Sequence, residues 1–133
     1  MSKKIAIVLF KSLHYLDKIF YLIFKRHFIF WFSDLISQNL YQEKMINNKK
    51  FNFFIPNQII KWRVDTFFSK EPDTIKWIKD FENKNKIIFW DIGANIGLFS
   101  IYAAAIHENI SVISFEPSTS NLRILSRNLS INK

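Results

Sequence analysis

Cysteine is absent from this chain, and glycine occurs only twice among its 133 residues. Without cysteine there is no disulfide scaffold and no thiolate metal site, which fits a reducing cytoplasmic setting. Average glycine usage would place roughly nine in a chain this long. The two present, Gly93 and Gly97, stand four residues apart and mark one place where the backbone needs freedom. Long uncharged apolar runs are missing too. Over residues 5 to 36, IAIVLFKSLHYLDKIFYLIFKRHFIFWFSDLI, the apolar blocks are cut by Lys11, Asp17, Lys18, Lys25 and Arg26. None approaches the ~18 residues needed to cross a bilayer. The start also lacks a small-residue cleavage site after a single apolar region, so no secretion signal is expected.

What is present is apolar and basic. Hydrophobic residues make up 49% and aromatics 17%, with fifteen Phe, which argues for a packed core of about one domain. The net charge of +8 is uneven: residues 1 to 50 carry nine Lys/Arg against three acids. Such a front half invites an anionic partner. The basic residues form no known reader motif, so nucleic acid is not expected.

The helical period places Lys4, Lys11, His14, Lys18 and Lys25 on one stripe, with Ile, Leu, Phe, Tyr and Trp around the remaining circumference. A helix of this kind buries its wide apolar face against the rest of the protein, against a partner, or in the interface of an anionic membrane. His14 and His27 read as polar-face and boundary residues, and no metal site is expected. Residues 42 to 52, QEKMINNKKFN, read as a solvated connector. FNFFIPNQIIKWRVDTFF reads as two short strands turning at Pro56 and Asn57. SKEPDTIKWIKDF is a helix start, with Pro72 in the first turn, acids beside it, and Ile75, Ile78 and Phe81 sharing a face.

After the polar break ENKNK, IIFW (87 to 90) reads as a strand buried on both faces. LFSIYAAAIHE follows as a helix with Asn109 as its C-terminal cap, and ISVISF (110 to 115) as a second strand. Ser118 then caps a helix lined by Leu122, Leu125 and Leu129. The order is a right-handed βαβ unit. The glycines thus fall in the loop beyond the first strand, where ligands sit in open α/β sheets. Asp91 ends that strand with its carboxylate in the crevice. Glu116 ends the next, placed to accept hydrogen bonds from ribose hydroxyls. The loop offers G-x-x-x-G, not G-x-G-x-x-G, and there is no P-loop. A nucleoside without a pyrophosphate suits it.

FWDIGANIGLFSIYAA followed by ISFEPS resembles motif I and the acidic second-strand motif of class I S-adenosylmethionine-dependent methyltransferases. The wording DIGANIG, FEPS and Asn121, after WRVDTFFSKEPDTIKWIKDF, is similar to the FkbM family over residues 61 to 131. The resemblance implies that Asp91, Gly93, Ala94, Asn95 and Gly97 hold the methionine end of S-adenosylmethionine and that Glu116 binds its ribose. Lys70, Glu71 and Thr74 match the family's upstream motif and border the carboxylate end, although helix capping explains Glu71 and Thr74 equally well. The activity implied is O-methylation of a sugar or other small-molecule hydroxyl. A seven-stranded sheet is the family's pattern, and this sequence supplies two strands of it. A truncated first βαβα unit, weak in cofactor binding and without a nameable catalytic base, is therefore expected.

The expected organisation is a helical, basic and aromatic extension over 1–50, a pre-domain segment over 51–85, and a partial Rossmann-like α/β unit over 86–133. The rival reading is a non-enzymatic membrane-surface or partner-binding protein acting through the first helix. Either way a cytoplasmic location is expected, with peripheral contact at the inner membrane surface.

Overall fold

In a computed structural model, residues 2–82 and 86–132 are described. The chain forms two compact units, Met1–Leu40 and Tyr41–Lys133.

The first unit is a helical hairpin of α1 (Ser2–Phe24) and α2 (Ile29–Gln38). The apolar period runs on through residue 36, but the helix stops where Lys25 adopts φ 54°. Asp17 explains the corner. Its carboxylate accepts the Nδ1–H of His27 at 2.6 Å and the N–H of Ile29, the first residue of α2, at 3.0 Å. Phe28 at the N-cap position offers no side-chain oxygen, so a carboxylate from α1 serves as the cap for α2. Phe20 packs edge-on against Phe28 with ring centres 5.5 Å apart, and the His27 ring stacks on Tyr21. His27, expected as a boundary residue, is a structural partner of a buried acid.

The second unit opens with an antiparallel hairpin, β1 (Tyr41–Ile46) and β2 (Lys49–Phe54). Asn47 and Asn48 turn it with φ of 50° and 59°, the pair of left-handed residues a tight primed turn requires. The connector expected over 42–52 is thus a hairpin that crosses residue 50. Its polar composition masks strands that bury only Ile46, Phe53 and Phe54. The second strand expected after Pro56 is also replaced. Asn57 accepts the Ile60 N–H at 3.0 Å and starts α3 (Gln58–Asp65), which buries Ile60 and Val64. α4 (Phe67–Lys70) and α5 (Pro72–Lys79) follow, with Pro72 in the first turn and Ile78 fully buried. The polar break expected over 82–86, with the boundary after 85, lies mostly outside the described residues.

β3 (Ile87–Ile92), α6 (Leu98–Ile106), β4 (Ile110–Phe115) and α7 (Thr119–Ile131) come in the expected order. β3 and β4 pair in parallel from Ile87↔Ile110 to Ile92↔Phe115. The fold is mixed α/β. Two local expectations need correction. β3 is buried on one face only: Phe89 and Asp91 are covered, while Ile88, Trp90 and Ile92 are 64%, 59% and 77% exposed. The helix cap is His107, whose N–H bonds the Ala103 carbonyl, whereas Asn109 accepts the N–H of Ile87 and starts the ladder. Ser118 caps α7 as expected, accepting the Asn121 N–H.

One buried amide ties the unit together. Asn128 of α7 is fully enclosed; its Oδ1 accepts the Phe54 N–H and its Nδ2 donates to the Ile96 carbonyl, both at 2.8 Å. The strand β2, the segment before α6 and the helix α7 thus share a side chain whose polar atoms are paired, as burial requires. Asn132 and Asn52 add a reciprocal pair of hydrogen bonds nearer the surface.

Candidate functional site

The segment from Asp91 to Gly97 leaves β3 and enters α6 through three left-handed residues, Gly93 (φ 81°), Asn95 (φ 54°) and Gly97 (φ 84°). Glycine adopts this region without a Cβ penalty, and asparagine is among the residues that tolerate it best. The two glycines serve different ends. A Cβ on Gly93 would meet nothing within 4 Å, so what matters there is the backbone angle and the open space beside it. A Cβ on Gly97 would lie 2.5 Å from Cδ1 of Leu125. Gly97 therefore lets α6 start against α7, where the expectation placed the strand or a ligand.

The loop's amides hold its own shape. Gly93 and Ala94 both donate to the Phe115 carbonyl, at 2.8 and 2.9 Å, and Gly97 donates back to the Ala94 carbonyl at 2.8 Å. The Asn95 N–H donates to Glu116 Oε2 at 2.7 Å, and Arg63 Nη1 of α3 donates to the Asn95 side chain at 2.6 Å. Glu116 Oε1 takes the Ser118 N–H at 2.9 Å, with the Asn121 amide at 3.4 Å. The Ser118 N–H is the main cause holding the Glu116 carboxyl below its usual range, helped by the Asn95 N–H, Asn121 and the Arg63 charge. It is an ionised acceptor at neutral pH.

Asp91 behaves differently. It is buried, and its Oδ2 accepts the Ser100 hydroxyl, which in turn contacts the Ser114 hydroxyl at 2.7 Å. The carboxylate expected in the crevice is thus engaged with the start of α6. Burial pushes its pKa up, against the hydrogen bonds from Ser100. Folding therefore favours its protonated form, and stability from this group declines as pH rises through the folded pKa.

Beside the loop lies a cleft of about 470 Å³. Asp91, Gly93, Ala94 and Asn95 form one wall of it. Arg63, Lys70, Glu71 and Thr74 supply polar groups, and Phe67, Trp77 and Phe99 supply aromatic surface. A cleft of this size, mostly apolar with a few polar groups, suits a small organic ligand. The structure thus brings Asp91, Gly93, Ala94 and Asn95 together with Lys70, Glu71 and Thr74. Gly97 and Glu116 are not among the residues that line the cleft. Sequence reasoning missed Arg63, Trp77 and the Ser100–Asp91 bond. A polar Ser100 amid the apolar LFSIYAAA was the available signal for the last. Arg63 has no spacing signal, since α3 itself was read as strand.

Among curated proteins the chain is similar to Methyltransferase sdnD of Sordaria araneosa, 45% identical over 42 residues. That stretch is 32% of this chain and 16% of the fungal protein, so the match spans about a sixth of its relative's length. No family model matches, and no solved structure matches. The similarity supports a relationship to methyltransferases.

Proposed function

We propose that the loop and cleft are the methionine-side part of an S-adenosylmethionine site in a Rossmann-like class I methyltransferase domain of the FkbM kind. The observation that carries this reading is the left-handed loop at the end of β3, braced by Asn95 to Glu116 at the end of β4, with an open cleft beside it. The residues fit such a ligand. At Gly93 the absent Cβ leaves a cradle, and no atom of the described residues beyond its chain neighbours lies within 4 Å of that position. Glu116 lies outside the cleft lining, but it is ionised and only half-buried, and its about four lone-pair sites leave room for a ribose hydroxyl beside its amide partners. The cofactor, when bound, supplies an electrophilic methyl group on a sulfonium.

The chain's own residues position. Gly93 and Ala94 let the ligand approach the backbone, Arg63 and Glu116 fix the shape of the loop through Asn95, and Asp91 anchors it through Ser100. Orientation of this kind is the larger part of what a protein contributes to an in-line methyl transfer. The acceptor in this reading is a hydroxyl of a sugar or another small molecule.

Calorimetric titration with S-adenosylmethionine tests it, using the wild type, Gly93→Val and Glu116→Ala. Saturable binding by the wild type and about tenfold or greater weakening in both variants is expected. No binding by the folded wild type, or equal binding by all three, overturns the reading.

A further inference from the structure

The hairpin of α1 and α2 exposes an apolar surface that its own corner does not need. On the α1 wheel, Ile5, Val8, Leu9, Leu16, Ile19 and Ile23 fall on one broad face, with Phe20, which meets Phe28, at its border beside Leu9. All six are exposed, Val8 at 62% and Ile23 at 68%. α2 adds Phe30, Trp31 and Leu35, each more than half exposed. Along one edge of that face, next to Val8, α1 carries Lys4, Lys11 and Lys18, and Lys25 follows the helix in the same line. Residues 2–40 hold six Lys/Arg against two acids, and one of those acids, Asp17, is buried and bonded to His27. No helix among the described residues is long and apolar enough to cross a membrane.

We propose that this hairpin lies flat in the interface of an anionic lipid bilayer. The argument is charge complementarity joined to shape. A wide apolar face edged by lysines and Tyr15, with Trp31 exposed on α2, is the pattern of an interfacial helix: the apolar side chains enter the acyl boundary and the lysine stems reach back to the headgroups. The Asp17–His27 bond fixes the corner, so α1 and α2 enter as one two-armed wedge. The surface is an anchor independent of the cleft, and neither Gly93 nor Glu116 takes part in it.

Co-sedimentation of the full chain with vesicles tests the proposal, using phosphatidylcholine alone and phosphatidylcholine mixed with phosphatidylserine. Binding to the anionic vesicles at least about tenfold tighter than to neutral ones, and weakened by salt, is expected. Removing the charge in Lys4→Gln, Lys11→Gln and Lys18→Gln costs about fivefold each on anionic vesicles. Val8→Asp with Ile23→Asp abolishes binding to both vesicle types. These positions are exposed, so circular dichroism should report unchanged helix content. Failure of the folded wild type to sediment with anionic vesicles overturns the proposal. So does binding that ignores lipid charge and the lysine substitutions, or a stable dimer formed through Val8 and Ile23 without lipid. Gly93→Val must sediment like the wild type, which separates this result from the fate of the cofactor reading.

Discussion

The backbone N–H of Asn95 donates to Glu116 Oε2 across 2.7 Å, so the loop after one parallel strand is held by the acid that ends the other. Glu116 has a folded pKa below its unfolded value, because its hydrogen-bond donors favour the charged form. Its contribution to stability is present above the unfolded pKa and is lost as pH falls through the folded one. Titration from neutral into acid, below the ordinary carboxylate range, should therefore release the Asn95 amide. Amide exchange of Asn95 will rise across that acid range in the wild type. In Glu116→Gln it will be fast throughout and nearly flat.

The glycines should respond unequally. Gly93→Ala carries mainly the left-handed backbone cost, about 1 kcal/mol. Gly97→Ala carries that cost and also meets the buried Leu125, so about 2 kcal/mol or more is expected. Leu125→Val removes the Cδ1 atom in the way. It should be less damaging on the Gly97→Ala background than on the wild type, as a urea double-mutant cycle will read.

Asn128→Ala strands the Phe54 N–H and the Ile96 carbonyl in a buried place, which costs about 3 kcal/mol in urea unfolding. Asn132→Ala breaks a more exposed pair and should cost under about 1 kcal/mol.

Much of the second unit was legible. β4 and the Ser118 cap fall where the apolar, β-branched run and the polar cap residue put them. The loop was found because two glycines in an otherwise glycine-free chain can hardly be missed. The hairpin β1–β2 was not found, since its outward residues are Lys, Glu and Asn apart from Met45, and its strongest signal is the Asn47–Asn48 pair. α3 was lost to the β-branched and aromatic residues around Asn57, where capping overrode strand propensity. The candidate site was half legible: the glycine loop is local, whereas Arg63 reaches Asn95 across thirty-two positions of sequence. No local pattern encodes a contact of that length.

The corner of the first unit offers a separate test. In Asp17, burial raises the pKa, but hydrogen bonds from His27 and the Ile29 N–H more than offset it and hold the carboxyl low. Its cap on α2 is therefore present above the ordinary Asp range and disappears as pH falls through the lowered pKa. Asp17→Ala should abolish protection of the Ile29 amide in hydrogen exchange. Asp17→Asn, which keeps an acceptor oxygen, should retain part of it.

Ile88, Trp90 and Ile92 stand out from β3 with Ile113 and Phe115 alongside on β4, all exposed. A net charge of +8 keeps molecules apart at low ionic strength, and that repulsion fades within a Debye length as salt is added. Sulfate and phosphate also sharpen the drive to hide hydrocarbon. Purified chains should consequently turn cloudy at far lower ammonium sulfate concentrations than a protein of equal charge with a fully covered sheet.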